Sequence, residues 1–238
     1  MIRYKYILLD ADNTLYDFDA AEHKALHKVL SDRGYSVDET TVDIYLKINT
    51  ALWEAFARGE VTQEFLLVER FRRFMEQMGG DHDPVKFNTD YVTALGSNGD
   101  LIPGALEFCR ELSGMGCTLA IVTNGATIAQ RGRYSNSPLR EYIPTIFISQ
   151  EMGVNKPNPL FFDHVCRNMG ISDRSQAVVV GDSLSSDILG GNQSGIDTVW
   201  YNPHNKAVYG AACPTYIAED FSAIIDIVSG KEKRCPEK

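Results

Sequence analysis

Tyr6-Ile7-Leu8-Leu9-Asp10-Ala11-Asp12-Asn13-Thr14 runs from four apolar residues straight into two carboxylates and a pair of turn formers. A short apolar run without strict alternation reads as a strand covered on both faces, the kind found in parallel sheets. Ligands of open α/β sheets gather at the carboxyl ends of such strands. Asp10 and Asp12 both reach one site there if the chain turns. A capped strand-to-loop turn describes the same residues, because Asp and Asn favour turns.

Four more runs of this type follow, at residues 118–122, 145–148, 177–180 and 198–201. Helical patterns separate the later ones. Leu106, Cys109 and Leu112 share one face of a helix, as do Phe161, Phe162, Val165, Cys166 and Met169. Strands alternating with helices predict a doubly wound, Rossmann-like parallel α/β sheet with right-handed crossovers. More than a hundred residues separate the first strand from the second, where one crossover helix would suffice. That stretch carries helical stripes: Ala21, Ala25, Leu26, Val29 and Leu30; then Tyr45, Leu52 and Phe56; then Phe71, Phe74, Met75 and Met78. It is expected to be an inserted all-helical domain at residues 16–97, with residues 1–15 and 98–238 forming the core. Phe221 to Val228 reads as a last helix.

Three further strand ends carry polar motifs. Thr123-Asn124-Gly125 suits a phosphate-binding turn or, equally, a helix N-cap. Lys156-Pro157 offers a cation, though a lone lysine is usually a surface residue. Gly181-Asp182-Ser183-Leu184-Ser185-Ser186-Asp187 places two acids five residues apart after a glycine that permits close approach. Mg²⁺, which prefers oxygen ligands, suits such a pair. Each motif alone has a turn-and-cap explanation. Together they put carboxylates, a lysine and phosphate donors at the strand ends of one sheet.

The ordered set D-x-D-x-T, strand-end Thr, Lys and G-D-x-x-x-x-D resembles the haloacid dehalogenase superfamily, across the whole core. The resemblance implies that Asp10 is a nucleophile forming an aspartyl-phosphate. Asp12 would be general acid and then base. Thr123, Asn124 and Lys156 would bind phosphate, and Lys156 would also offset charge on Asp10. Mg²⁺ would be held by Asp10, Asp182, Asp187 and the main-chain carbonyl of Asp12, with Thr14 orienting the loop. The helical insert resembles the family's cap, expected to close over the core. Asp12 favours phosphoester over carbon–halogen cleavage, because an alkoxide needs a proton to leave and a halide does not.

A narrower resemblance, to bacterial 5′-nucleotidases of pyrimidine nucleoside monophosphates, rests on three stretches. They are Asp10 to Phe18, Asn49-Thr50-Ala51-Leu52-Trp53 with Gly59 and Thr62, and Pro103-Gly104 with Thr123-Asn124-Gly125. Gln150 departs from it, standing where an acid is expected, and Arg131 to Pro138 fits loosely. Asn49, Trp53, Phe18 and Tyr16 are candidates for a base-binding surface; packing of the cap explains Trp53 and Phe18 as well. The expected function is a Mg²⁺-dependent phosphomonoesterase of nucleoside 5′-monophosphates. A phosphosugar phosphatase or mutase, and a non-catalytic binding module, are the alternatives.

Bulk properties agree with a small anionic substrate bound by a locally positive site. The net charge of −9 repels nucleic acids and anionic membranes. Five widely spaced cysteines without C-x-x-C argue against disulfides or zinc and for a reducing cytoplasm. No stretch has the length of a membrane span, and the run ending at Leu9 is too short for a signal-peptide core.

Overall fold

The computed structural model describes residues 2–231 and residue 235. Its elements in chain order are β1 (Tyr6–Leu9), α1 (Phe18–Ser31), α2 (Glu39–Ala57), α3 (Gln63–Met78), α4 (Pro84–Gly96), α5 (Ala105–Gly114), β2 (Thr118–Thr123), α6 (Thr127–Asn136), β3 (Thr145–Ile148), the single turn α7 (Ser149–Met152), α8 (Pro159–Met169), β4 (Ala177–Gly181), α9 (Leu189–Gln193), β5 (Asp197–Tyr201), β6 (Tyr216–Ala218) and α10 (Phe221–Val228). A π-helical turn, Leu184–Ile188, leads into α9.

The six strands form one sheet in the order β3-β2-β1-β4-β5-β6, parallel throughout. β1 lies between β2 and β4, so the order reverses there and a crevice opens at its carboxyl end. The pleat sends alternate residues to opposite faces. Ile7, Leu9, Ile121, Val178 and Val180 pack with Phe108, Cys109 and Leu112 of α5 and Ile224, Ile227 and Val228 of α10. Leu8, Ala120, Val122 and Val179 pack with Phe161, Phe162, Val165 and Cys166 of α8. Both faces are covered, which explains why the strand sequences are continuously apolar. Phe161 and Phe162 are fully buried, each worth about 1.5–3 kcal/mol of apolar transfer. β6 was not among the expected strands; it is three residues long, and its central Ile217 is 43% exposed.

The chain divides into two compact units. One comprises Met1–Phe18, Asp100–Thr127 and Tyr134–Lys238; the other comprises Asp19–Gly99 and Ile128–Arg133. The first holds the sheet. The second is helical, and its N-termini are set by local chemistry. Asp38, Thr62 and Asp83 each accept a hydrogen bond from the first turn of α2, α3 and α4, and Pro84 takes the first position of α4, where its missing N–H costs nothing. Its core is aromatic: Phe71 and Phe87 stack at 4.2 Å, and Tyr45 packs on Phe71 and Tyr91. One buried polar network joins its four longest helices. Asn49 of α2 donates to Glu22 of α1 at 3.0 Å and accepts from Arg70 of α3 at 3.2 Å; Tyr91 of α4 also donates to Glu22.

Candidate active site

β1 delivers Asp10 to the carboxyl edge of the sheet. Its register with Ile121 and Val180 ends at Leu9, and the Asp10 N–H still donates to the Val180 carbonyl at 2.9 Å. The chain then turns sharply. The N–H groups of Leu15 and Tyr16 both donate to the Ala11 carbonyl, and Asn13 adopts a left-handed φ of 58°. The Asn13 side chain accepts from the Phe18 N–H at 3.1 Å, so the loop is tied to the start of α1. Thr14 is fully buried, and its hydroxyl makes no hydrogen bond among the described residues.

Lys156 comes from the loop before α8, 146 residues away, and meets Asp10 in the interior. Its ammonium donates to Asp10 Oδ1 at 2.7 Å, Asp187 Oδ1 at 2.6 Å and the Val122 carbonyl at 2.8 Å. An ammonium has three N–H donors, and all three are used. Asp187 is fully buried, and its second oxygen accepts from the Ser183 N–H at 3.1 Å. Gly181 makes this possible: a Cβ there would collide with the Asp187 carboxylate.

The Asn124 side chain fixes Lys156 from the neighbouring strand end. Its Oδ1 accepts from the Lys156 N–H at 3.0 Å, and its Nδ2 donates to the Lys156 carbonyl at 2.8 Å. The side chain expected to hold phosphate is thus committed to the lysine's main chain. Thr123 is buried, and its hydroxyl accepts from the Gly125 N–H at 3.0 Å, shaping the turn into α6. Gln150 caps α6 by accepting from the Thr127 N–H at 2.8 Å, so an uncharged side chain serves where an acid was expected.

Oxygen atoms of Asp10, Asp182 and Asp187 lie within 4.8 Å of one another. Asp12 is close enough for its charge to act on both Asp10 and Asp182. Burial, opposed by Lys156 and reinforced by Asp187, Asp182 and Asp12, holds the Asp10 carboxyl well above the usual carboxylate range. Burial and Asp187 push Asp182 up to about 7, against the pull of Lys156 and Lys206. Burial would lower the Lys156 pKa, but Asp10 and Asp187 outweigh it and keep the ammonium charged. Acids raised in this way mark a cluster short of positive charge. Its donors are all hard oxygens, which fits a divalent cation such as Mg²⁺.

The structure therefore gathers Asp10, Asp12, Thr123, Asn124, Lys156, Asp182 and Asp187 at the end of β1. It does not bring Asn49 to an open surface. Asn49 is 6% exposed, and its amide serves Glu22 and Arg70 inside the helical unit. This corrects the reading of Asn49 as a base contact: a buried Glu and Arg need polar partners, and Asn49 supplies them. Tyr16, 1% exposed, is likewise interior. Trp53 is half-buried in the helical unit, edge-on to Phe56 at 5.6 Å, and Phe18 is half-buried at the start of α1. Trp200 was not anticipated; its indole N–H donates to the Asp182 carbonyl at 2.8 Å and steadies the loop after β4.

The family of haloacid dehalogenase-like hydrolases matches residues 4–195. The chain is 34% identical over 223 residues to the pyrimidine 5′-nucleotidase PynA of Streptococcus pneumoniae, covering 94% of each chain. It is 33% identical over 217 residues to the pyrimidine 5′-nucleotidase YjjG of Escherichia coli, covering 90% of this chain and 93% of YjjG. Its fold superposes with a TM-score of 0.89, at 31% identity, on the magnesium-bound crystal structure of the HAD-hydrolase YfnB of Bacillus subtilis, covering 95% of this chain and 99% of YfnB.

Proposed function

The chain belongs to the haloacid dehalogenase-like hydrolases, and from that membership we propose that it is a Mg²⁺-dependent phosphomonoesterase acting on pyrimidine nucleoside 5′-monophosphates. The observation that carries the reading is the contact of Asp10 with Lys156 at 2.7 Å, beside Asp182 and Asp187, at the switch point of the sheet. A nucleophilic carboxylate, a buried cation and an oxygen cluster for a divalent ion make up a phosphoryl-transfer site. The substrate class rests on likeness to PynA and YjjG over almost the whole chain.

Mg²⁺, held by Asp10 and Asp182 with Asp187 and the Asp12 carbonyl beside them, would supply the positive charge that lets two anions approach. A carboxylate oxygen of Asp10 attacks phosphorus as the ester P–O bond breaks, giving an aspartyl-phosphate. The Asp12 carboxyl passes its proton to the departing 5′-oxygen. Asp12, now a carboxylate, takes a proton from water, whose oxygen attacks phosphorus and releases phosphate and free Asp10. Lys156 holds the Asp10 carboxylate in its attacking rotamer and balances its charge. Main-chain groups of the turn at Thr123 and Asn124 bind the phosphoryl oxygens. Trp53 is the candidate for stacking on the base.

The test is phosphate release with Mg²⁺ from UMP, dUMP, dTMP, CMP, AMP, GMP and a set of sugar phosphates, with an EDTA control. Selective turnover of uracil and thymine nucleotides is expected. Asp10→Ala should abolish it, and Asp12→Asn should lower it by about 10²–10⁴-fold. Turnover of sugar phosphates alone would discard the substrate class. Near-normal turnover by either variant would discard the mechanism.

A further inference from the structure

β5 ends at Tyr201 and passes into Asn202, which is buried, and then into an exposed loop. The Asn202 side chain brackets one residue of that loop on both sides: Oδ1 accepts from the Lys206 N–H and Nδ2 donates to the Lys206 carbonyl, each at 2.9 Å. The intervening turn is closed by the Asn205 N–H donating to the Asn202 carbonyl at 3.1 Å, with Asn205 at a left-handed φ of 49°. Asn192 makes the same paired contact with Cys213, at 2.8 and 3.0 Å, so the loop is anchored at its far end too. Between them, Ala212 packs with Leu184, Ile188 and Trp200, the residue whose indole holds the Asp182 carbonyl.

The bracket on Lys206 repeats the one Asn124 places on Lys156. In both cases one asparagine amide takes the N–H and the carbonyl of one lysine, at the carboxyl edge of the same sheet. The two lysines differ in what their ammonium groups do. Lys156 is 1% exposed and has spent every N–H on the protein. Lys206 is exposed, and among the described residues its ammonium makes no hydrogen bond or ion pair. β5 pairs with β4 so that Trp200 lies opposite Gly181, and the loop that Asn202 ties down at Lys206 therefore leaves the sheet at the same edge at which Asp182 follows Gly181.

We propose that Lys206 is a substrate-contacting residue whose ammonium binds the phosphoryl group of the incoming monoester on the Asp182 side of the site. The inference rests on the phosphomonoesterase reading above. With Asp12 protonated for its role as acid, Mg²⁺ and Lys156 together balance the carboxylates of Asp10, Asp182 and Asp187 and leave no positive charge over for the substrate. An entering phosphate dianion therefore needs a further cation with free donors. Lys156 has none to give, and Lys206 has all three.

The experiment compares wild type with Lys206→Gln and Lys206→Arg in Mg²⁺. Lys206→Gln is expected to raise KM for the best nucleotide by about tenfold or more, with kcat within about threefold. Lys206→Arg should restore most of the loss, because a guanidinium keeps the charge. Inorganic phosphate, titrated calorimetrically into the Mg²⁺-loaded proteins, should bind Lys206→Gln more weakly by a similar factor. That titration needs no turnover, so it judges Lys206 even if the nucleotide panel fails. Mg²⁺ itself should bind Lys206→Gln as well as wild type or better, since a repelling charge has gone. Unchanged KM and phosphate affinity, a fall in kcat at constant KM, or weakened Mg²⁺ binding in Lys206→Gln would each overturn the proposal.

Discussion

Lys156 gives every N–H it has to Asp10, Asp187 and the Val122 carbonyl. A neutral side chain there leaves two buried carboxylates facing each other without a cation. Lys156→Met is expected to lose about 3–5 kcal/mol of stability, read from denaturant unfolding, and to abolish phosphate release. Divalent cation should recover part of that stability, because it replaces the missing charge; a metal-free variant as stable as wild type would contradict the pairing. Asp182 gives a pH-dependent test. Burial and Asp187 hold it at about 7, above its unfolded value of 3.8. Between these values the folded metal-free chain keeps a proton the unfolded chain has lost, so this group's contribution to stability falls as pH rises and is gone above the folded value. Mg²⁺ competes with that proton. The rise in Tm produced by Mg²⁺ should therefore be larger at about pH 8 than at about pH 6. An equal rise at both would remove Asp182 from the ligand set. These residues were legible in sequence because their spacing after apolar runs is itself the signal. The tripod around Lys156 was not, since no local pattern says which carboxylates a lysine will find.

The four longest helices of the second unit are locked by single residues on each: Glu22 on α1, Asn49 on α2, Arg70 on α3 and Tyr91 on α4. Arg70 also donates to Asn88 at 2.6 Å and lies over the Tyr91 ring at 4.6 Å. Truncating Asn49 to Ala strips partners from a buried carboxylate and a buried guanidinium, at an expected cost of about 1–3 kcal/mol. The check is thermal unfolding beside KM: a base contact would raise KM without destabilising, whereas the interior position predicts the reverse. Glu69 of α3 provides an acid-range test. Hydrogen bonds from Arg72, outweighing burial and aided by Arg73, hold its carboxyl at about 2, below its unfolded value of 4.5. Its contribution is present above the unfolded value and disappears as pH falls toward about 2. With both arginines nearly half exposed, the loss should stay near 1 kcal/mol, measured against Glu69→Gln. Apolar periodicity announced α1, α2, α3, α5, α8 and α10. It did not announce α6, whose sequence Thr-Ile-Ala-Gln-Arg-Gly-Arg-Tyr-Ser-Asn is mostly polar. Its buried Gln130 and Arg133 look like surface residues until a partner covers them.

At the scale of the molecule, the chain leaves the sheet unit for Asp19–Gly99 and again for Ile128–Arg133, so it crosses between the units four times. The segments that flank the long excursion lie side by side in the sheet unit: Ile102 N–H donates to the Leu15 carbonyl at 2.9 Å and Asp17 N–H to the Asp100 carbonyl at 3.0 Å. Replacing residues 19–99 with a short Gly-Ser linker should therefore leave the parallel sheet folded, as judged by circular dichroism. It should also raise hydrogen exchange across Ile128–Arg133, which belong to the helical unit although they lie in α6. Gly132 explains the dependence: a Cβ there would press within 2.9 Å of the Gly96 carbonyl oxygen, so α4 and α6 touch backbone to backbone. Slow exchange at those amides in the excised chain would show that α6 stands without α4. Sequence alone determined the sheet class, the long helical insertion and the order of the polar motifs, because strand burial, helical periodicity and turn chemistry are local properties of neighbouring residues. Tertiary structure decided that Asn124 serves the lysine, that Asn49 is interior, that α6 is shared between units, and that Asn202 fixes Lys206 at the carboxyl edge of the sheet. Those facts depend on which side chains of separate elements meet, and such contacts are settled by packing and buried charge, neither of which has a period to read.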